Sequence, residues 1–346
     1  MDKKHILITG GFGYVGSRLT PHLLSLGYKI RTLDLFLYGD DGLQSLKNSS
    51  LNEKFIKNLD VQHGDIRNPK DVTKALEGID TVIHLAAISN DPVGELDEII
   101  TRQTNFDALG LLLEVSKTIG IKRFINISSS SVFGIKDNEE VGEVLEPEPL
   151  TFYSKYKALG EAIVRAANSK EFCATNIRPA TICGYSPRQR LDLTVNKLTT
   201  DALLKRKITV HGGEQRRPNI AMTDILNLYT QLITIPDSLI GGRTFNFGFQ
   251  NLKVIEIAKL IQKELAHLDV AIEINETKDM RDYHISSSKL VKELNYKPIS
   301  NIQKAIAELK DAIQTGLLKN PDDAKYYNMK SLKIERNSNA YSYFGR

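Results

Sequence analysis

Apolar runs of strand length alternate with segments of helical period along the first half of the chain. "HILITG" is followed by "SRLTPHLLSLG" and then by "KIRTLDLF", a succession that predicts βαβ units and a parallel sheet. The alternation continues through "FIKNLDVQHGDI", "DVTKALEG", "DTVIHLAA", "DEIITRQTNFDALGLLLEVSKTIG", "KRFINISS" and "CATNIRPATI". It predicts about six or seven strands by residue 183. Beyond that point Gly and Pro punctuate a looser pattern, in which "VIEIAKLIQKEL" and "NIQKAIAELKDAIQTG" read as amphipathic helices. The expected organisation is a doubly wound parallel sheet over residues 1–183, with part of 218–250 returning to it. A smaller, mixed α/β domain follows over 184–320. The tail, 321–346, is polar with scattered tyrosines and reads as either docked or mobile.

Composition narrows the function classes. A chain of 346 residues with 41% hydrophobic content buries a full core. The net charge of +4 comes from 46 basic and 42 acidic residues, interspersed along the chain, which argues against nucleic acid as a partner. Cys173 and Cys183 are the only cysteines, so neither a disulfide framework nor a zinc pattern can be built, no metal is expected, and a reducing cytoplasm fits. The opening "MDKKHILITGG" has only a short apolar run, and no stretch of about 18 apolar residues occurs, so neither secretion nor membrane spanning is expected.

Between the first strand and the first helix, "ITGGFGYVGSRL" places Gly10, Gly11, Gly13 and Gly16. Gly11, Gly13 and Gly16 fit the G-x-G-x-x-G spacing; Gly10, Gly13 and Gly16 fit G-x-x-G-x-x-G. Such a turn, which here includes Tyr14 and Val15, lets the backbone approach a pyrophosphate at the positive end of the following helix. The second strand ends in Asp34, where a carboxylate accepts hydrogen bonds from the adenosine ribose and repels a 2′-phosphate, favouring NAD over NADP. "HGDI" offers Asp65 and Ile66 where an adenine would lie, and "HLAA" offers Leu85 with the small Ala86 and Ala87. These residues serve equally well as ordinary strand ends. His84, in an apolar run, reads as a core histidine. With a dinucleotide turn at its head, the sheet is expected to be Rossmann-type.

"TFYSKYKALGE", residues 151–161, holds two tyrosines and two lysines. Residues four apart share a helix face, which pairs Tyr153 with Lys157. Tyr326 and Lys330 have the same spacing but follow no strand or glycine loop. Bringing a phenol from a pKa of about 10 to neutrality takes about 4 kcal/mol. An ammonium at about 4 Å in an effective dielectric near 20 supplies roughly that amount, and the positive ring of oxidised NAD adds to it. Such a tyrosine suits removal of a hydroxyl proton while hydride leaves the same carbon.

The motifs "TGGFGYVG", "LDLFLYG", "GDI", "HLAA", "ISSSSVFG", "YSKYKALGE", "RPATICG" and "RPNIAMTD" together resemble the extended short-chain dehydrogenase/reductase family, in its NAD-dependent sugar-nucleotide epimerase/dehydratase branch. The resemblance covers nearly the whole chain. It implies a Ser/Tyr/Lys triad of Ser129, Tyr153 and Lys157, with Lys157 also reaching the cofactor. Phe133 and Ala221–Met222 depart from the family pattern.

Dehydratases of this branch carry an Asp/Glu pair, or at least a Glu, directly after the triad Ser or Thr; here Ser130 and Ser131 stand there, and neither is a carboxylic acid. The resemblance therefore implies a 4-epimerase that oxidises, rotates and re-reduces one sugar carbon, or else a one-way 4-dehydrogenase or 4-ketoreductase acting on a deoxyhexose or heptose nucleotide. A 4,6-dehydratase and a non-catalytic NAD-binding regulator are the more distant alternatives. The expected partner is a nucleoside-diphosphate sugar, with Ser89, Asn90, Ser130, Arg188, Asn196, Arg217 and Arg281 as its candidate contacts. The resemblance also implies a homodimer through the helices near 97–119 and 153–168.

Overall fold

In a computed structural model whose described residues are 4–137, 140–277 and 282–337, the first strands and helices fall where the apolar pattern predicts them. The strands are β1 (His5–Thr9), β2 (Lys29–Asp34), β3 (Leu59–His63), β4 (Thr81–His84), β5 (Arg123–Ile127), β6 (Cys173–Pro179) and β7 (Thr181–Cys183). They are followed by β8 (Lys207–His211), β9 (Arg216–Ala221), β10 (Thr244–Phe247), β11 (Gln250–Lys253) and β12 (Ala271–Asn275).

A seven-stranded sheet runs in the order β10-β6-β5-β4-β1-β2-β3, with every pairing parallel. The strands β4, β5 and β6 are buried at every position, as a sheet covered by helices on both faces requires. One face carries a core that includes Ile6, Leu23, Ile225 and Tyr229; the other carries Leu7, Val72, Leu112 and Val164. The strand order reverses direction between β1 and β4, which opens the crevice at their carboxyl ends.

The chain leaves the large sheet after Pro179. β7 pairs with β9, which pairs antiparallel with β11, and β8 pairs with β12. Helices Thr194–Lys205, Val254–Glu264 and Ile302–Gln314 close a separate small core around Val195, Ile208, Ile257 and Ile306. The strand β10 and the helix Met222–Thr234 belong to the large sheet and its core. A lone run of alternating apolar residues does not reveal which of two cores it joins.

One helix expected as continuous is interrupted. Glu98–Arg102 and Ala108–Ile119 flank a π-helical turn, Gln103–Asp107. That turn directs the Asn105 side chain inward, where it bonds both the N–H (2.9 Å) and the carbonyl (2.8 Å) of Ile88 in the loop after β4. The C-terminal segment is docked through the turn Ala324–Tyr326 and the helix Asn328–Asn337. Among the described residues no helix is long and apolar enough to cross a membrane.

Candidate active site

The turn after β1 is shaped by contacts that leave no room for side chains. A Cβ on Gly16 would stand 2.2 Å from the Gly10 carbonyl oxygen, and one on Gly10, whose φ is +68°, would stand 2.9 Å from the Ala86 nitrogen. A Cβ on Gly11 would lie 2.4 Å from Thr32 Cγ2. Gly13 differs: its Cβ would meet only the Gly10 oxygen, at 3.4 Å. The space in front of Gly13 therefore belongs to the cleft, and no packing constraint of the protein demands a glycine there. The helix Gly16–Ser25 that follows has no side-chain cap; the Ser17 and Leu19 amides bond the Gly13 and Val15 carbonyls, and the positive end of the helix faces the cleft at Gly16.

This turn forms one wall of a cleft of ≈ 540 Å³ lined also by Val15, Asp65, Ile66, Leu85, Ala86 and Ala87. The Asp34 carboxylate accepts the N–H groups of Phe12 and Phe36, both at 2.8 Å. Burial pushes its pKa up, while those bonds and the Arg188 charge pull it down. A carboxylate offers about four lone-pair sites, so acceptors remain for ribose hydroxyls. Asp65 is engaged by Arg67, whose Nε stands 3.0 Å away. Tyr14 lines the cleft but spends its hydroxyl as a tie, donating to the Gly184 carbonyl at 2.8 Å.

At the other end of the cleft stand Ser129, Tyr153 and Lys157. Tyr153 and Lys157 share the helix Phe152–Ala167, which begins with a capping box: Thr151 Oγ1 accepts the Ser154 N–H and Ser154 Oγ accepts the Thr151 N–H. Ser129 ends the extended run of β5 and lies near Tyr153, where it lowers the phenol's pKa. Its Oγ also pairs with Ser131 Oγ at 2.8 Å. The helix Asp91–Gly94 meets the tyrosine closely, since a Cβ on Gly94 would lie 2.7 Å from Tyr153 Cβ.

The electrostatics differ from the sequence expectation. Burial pushes the Tyr153 phenol up to about 12, with Asp91 adding to the rise and Ser129 and Arg190 opposing it. The Lys157 ammonium donates to the Ile127 carbonyl at 2.8 Å. Burial lowers Lys157 to about 8, against the opposing charge of Glu161. Burial therefore outweighs the groups that oppose it at Tyr153, and a phenolate near neutrality calls for a further positive charge in the cleft. His84 is a buried core residue bonded to Thr9 Oγ1 at 2.8 Å, held neutral by burial at a pKa of about 3.

The model of the NAD dependent epimerase/dehydratase family matches residues 6–248. The chain belongs to that family.

As a family member it is 30% identical over 268 residues to an uncharacterized UDP-glucose epimerase, YtcB, of Bacillus subtilis, covering 74% of this chain and 81% of the relative. It is 32% identical over 272 residues to the uncharacterized protein y4nG of Sinorhizobium fredii, covering 78% of this chain but only 62% of the relative. The crystal structure of a UDP-glucuronic acid 4-epimerase from Bacillus cereus, in complex with UDP-glucuronic acid and NAD, superposes with a TM-score of 0.77 at 26% identity. That superposition covers 90% of this chain and 99% of the epimerase.

NAD is the cofactor of this epimerase/dehydratase family, and the cleft meets its requirements. Open space lies in front of Gly13, Asp34 stands at one end, and Tyr153 with Lys157 stands at the other. Three buried polar atoms of cleft residues, Tyr38 Oη, Thr104 Oγ1 and Arg188 Nε, have no protein partner.

The candidate substrate residues divide. Ser89, Asn90, Ser130 and Arg217 line the cleft, with the Arg217 guanidinium 5.4 Å from the Tyr283 ring centroid. Arg188 also lines it, 4.2 Å over the Tyr38 ring, with Asp192 and Asp34 among the charges acting on it. Asn196 does not face the cleft. It is fully buried, bonded to the Gly184 N–H, the Tyr14 hydroxyl and the Arg190 carbonyl, and so ties the two cores together. Arg281 lies outside the described residues.

Beside Tyr153 the structure brings in groups that the sequence reading passed over. Arg190 is buried, forks onto Asp192 at 3.0 and 2.9 Å, and donates to Ser89 Oγ at 3.0 Å. Asn90 donates to Asp192 at 3.2 Å and adopts φ +78°, ψ 156°, a region costly for any residue but glycine and concentrated at functional sites. Asp91 accepts from Thr151 Oγ1 at 2.6 Å. The only sequence signal for Arg190 and Asp192 was membership of the segment "GYSPRQRLDLTVN".

Proposed function

We propose that the chain is an NAD-dependent sugar-nucleotide 4-epimerase. The observation that carries this reading is the convergence of Ser129, Tyr153 and Lys157 at one end of the cleft, where the residues after Ser129 are Ser130 and Ser131. Ser130 and Ser131 hold the positions after Ser129 where dehydratases of this branch carry carboxylic acids, which supports an oxidation and reduction at one carbon over a dehydration.

Oxidised NAD supplies the hydride acceptor and a positive ring. Tyr153, with Ser129 beside it, would take the proton of the C4 hydroxyl while that carbon is oxidised, and would return it after the keto sugar has turned. Lys157, anchored on Ile127, contributes positive charge at the same end. Ser89, Asn90, Ser130 and Arg217 are the proposed substrate contacts. The proposed assembly is a homodimer through the helices of residues 98–119 and 152–167, supported by Ile99 (68% exposed) and Leu159 (43% exposed); sedimentation equilibrium checks it.

The deciding experiment supplies NAD and a panel of UDP, GDP, dTDP and CDP sugars, and measures NADH formed per sugar converted, with product masses. Conversion at unchanged mass without net NADH is the expected result. Stoichiometric NADH with loss of two hydrogens would replace the epimerase by a 4-dehydrogenase, and no conversion across the panel would sink both.

A further inference from the structure

The C-terminal segment returns to the cofactor cleft from far along the chain. Asn328 is 2% exposed and lines the cleft. Its Oδ1 accepts a hydrogen bond from Arg188 Nη2 at 2.6 Å, and its Nδ2 reaches Ser89 Oγ at 3.5 Å. Around it, the Tyr326 carbonyl accepts the Leu191 N–H at 2.8 Å, and Lys325 pairs with Asp41 at 2.9 Å. Leu332 and Met329 pack with Leu37, Tyr38, Ile88 and Val93. One segment thereby fixes three cleft loops.

The partner chosen for Arg188 matters. Arg188 is 4% exposed; its guanidinium lies over the Tyr38 ring and leaves Nε without a protein partner. Among the described residues no carboxylate forms an ion pair with it, whereas neighbouring Arg190 is neutralised by Asp192. A neutral amide orients a cation without cancelling its charge; Asp192 and Asp34 act on Arg188 from beyond ion-pair distance, and a buried cation without an ion-pair partner favours an anionic ligand.

We propose that Asn328 is a cofactor-positioning residue: it holds the Arg188 guanidinium against Tyr38, so that the C-terminal segment clasps the adenosine diphosphate half of NAD. This goes beyond the epimerase reading and does not depend on which sugar is turned over.

The test is NAD affinity and dissociation rate, measured on the full-length protein without sugar nucleotide, together with urea stability of the cofactor-free protein. Asn328→Ala is expected to weaken NAD roughly tenfold, the size of one lost charge-assisted hydrogen bond. Asn328→Asp keeps an acceptor for Arg188 but cancels its charge, and is expected to weaken NAD at least as much while leaving urea stability intact. In an Arg188→Met background, Asn328→Ala is expected to have no further effect. The proposal is overturned if both Asn328 variants hold NAD within twofold of the parent, or if Asn328→Ala weakens NAD equally with and without Arg188. Loss of urea stability in Asn328→Ala with unchanged NAD affinity would likewise overturn it, reducing the residue to packing.

Discussion

The Lys157 ammonium donates to the main-chain carbonyl of Ile127, the last residue of β5, at 2.8 Å. The helix that carries Tyr153 is thereby bolted to the strand end that carries Ser129. The cost is a buried cation, whose pKa falls to about 8 from 10.5. Below pH 8 the folded and unfolded chains both hold the proton, and the desolvation cost is present in full. Above it the folded chain gives up a proton that the unfolded chain keeps until its higher pKa, so stability rises with pH. Relative to Lys157→Met, the parent is expected to gain about 2 kcal/mol between about pH 7.5 and 9.5 in urea unfolding of the cofactor-free protein. A pH-independent difference would mean that the lysine is not desolvated.

One turn further along the same helix, Glu161 is fully buried and accepts from Ser128 Oγ at 2.5 Å, Arg178 Nε at 2.8 Å and Arg178 Nη2 at 2.6 Å. The Arg178 guanidinium also lies 4.6 Å over the Phe133 ring. Glu161→Gln leaves that guanidinium buried without a counter-charge and is expected to cost about 3–5 kcal/mol. The double variant Glu161→Met, Arg178→Met is expected to recover most of this, because removing both charges removes the penalty. Urea denaturation of the three proteins checks the pattern, and a double variant as unstable as the single would contradict it.

Gly13 and Gly16 are expected to respond differently to a methyl group. Gly16→Ala drives a Cβ onto the Gly10 carbonyl, at 2.2 Å, whereas the Gly13→Ala methyl points into the cleft. Gly13→Ala is expected to stay within about 1 kcal/mol of parental stability while losing roughly tenfold or more in NAD affinity. Gly16→Ala is expected to lose both. Paired unfolding curves and NAD titrations read the split, and equal loss of stability in the two would refute it.

Tyr153→Phe is expected to lower the isomerisation rate by about 10²–10⁴ with NAD affinity unchanged. Because burial holds the protein's own phenol near 12, the phenolate is scarce at neutrality, and kcat/KM is expected to rise with pH up to the lower pKa of the NAD-loaded site. A flat pH profile in the parent would exclude Tyr153 as the base.

The sequence by itself determined the parallel sheet, the dinucleotide turn and the Tyr153–Lys157 spacing, because each is local. Strand and helix periods repeat within a few residues, the glycines sit within one turn, and a helix places residues four apart on one face. It also placed Ser89, Asn90 and Ser130 at strand ends that the sheet aims into the crevice. Tertiary structure decided what depends on distant partners. Asn196 resembles a site residue in its segment, yet packing turns it inward to join Tyr14 and Arg190. Arg188 and Arg190, two residues apart, part ways because one meets an amide from the C-terminal segment and the other a carboxylate. Whether Lys157 or burial sets the Tyr153 phenol also rests on solvent exclusion by the whole fold, a quantity that no stretch of sequence contains.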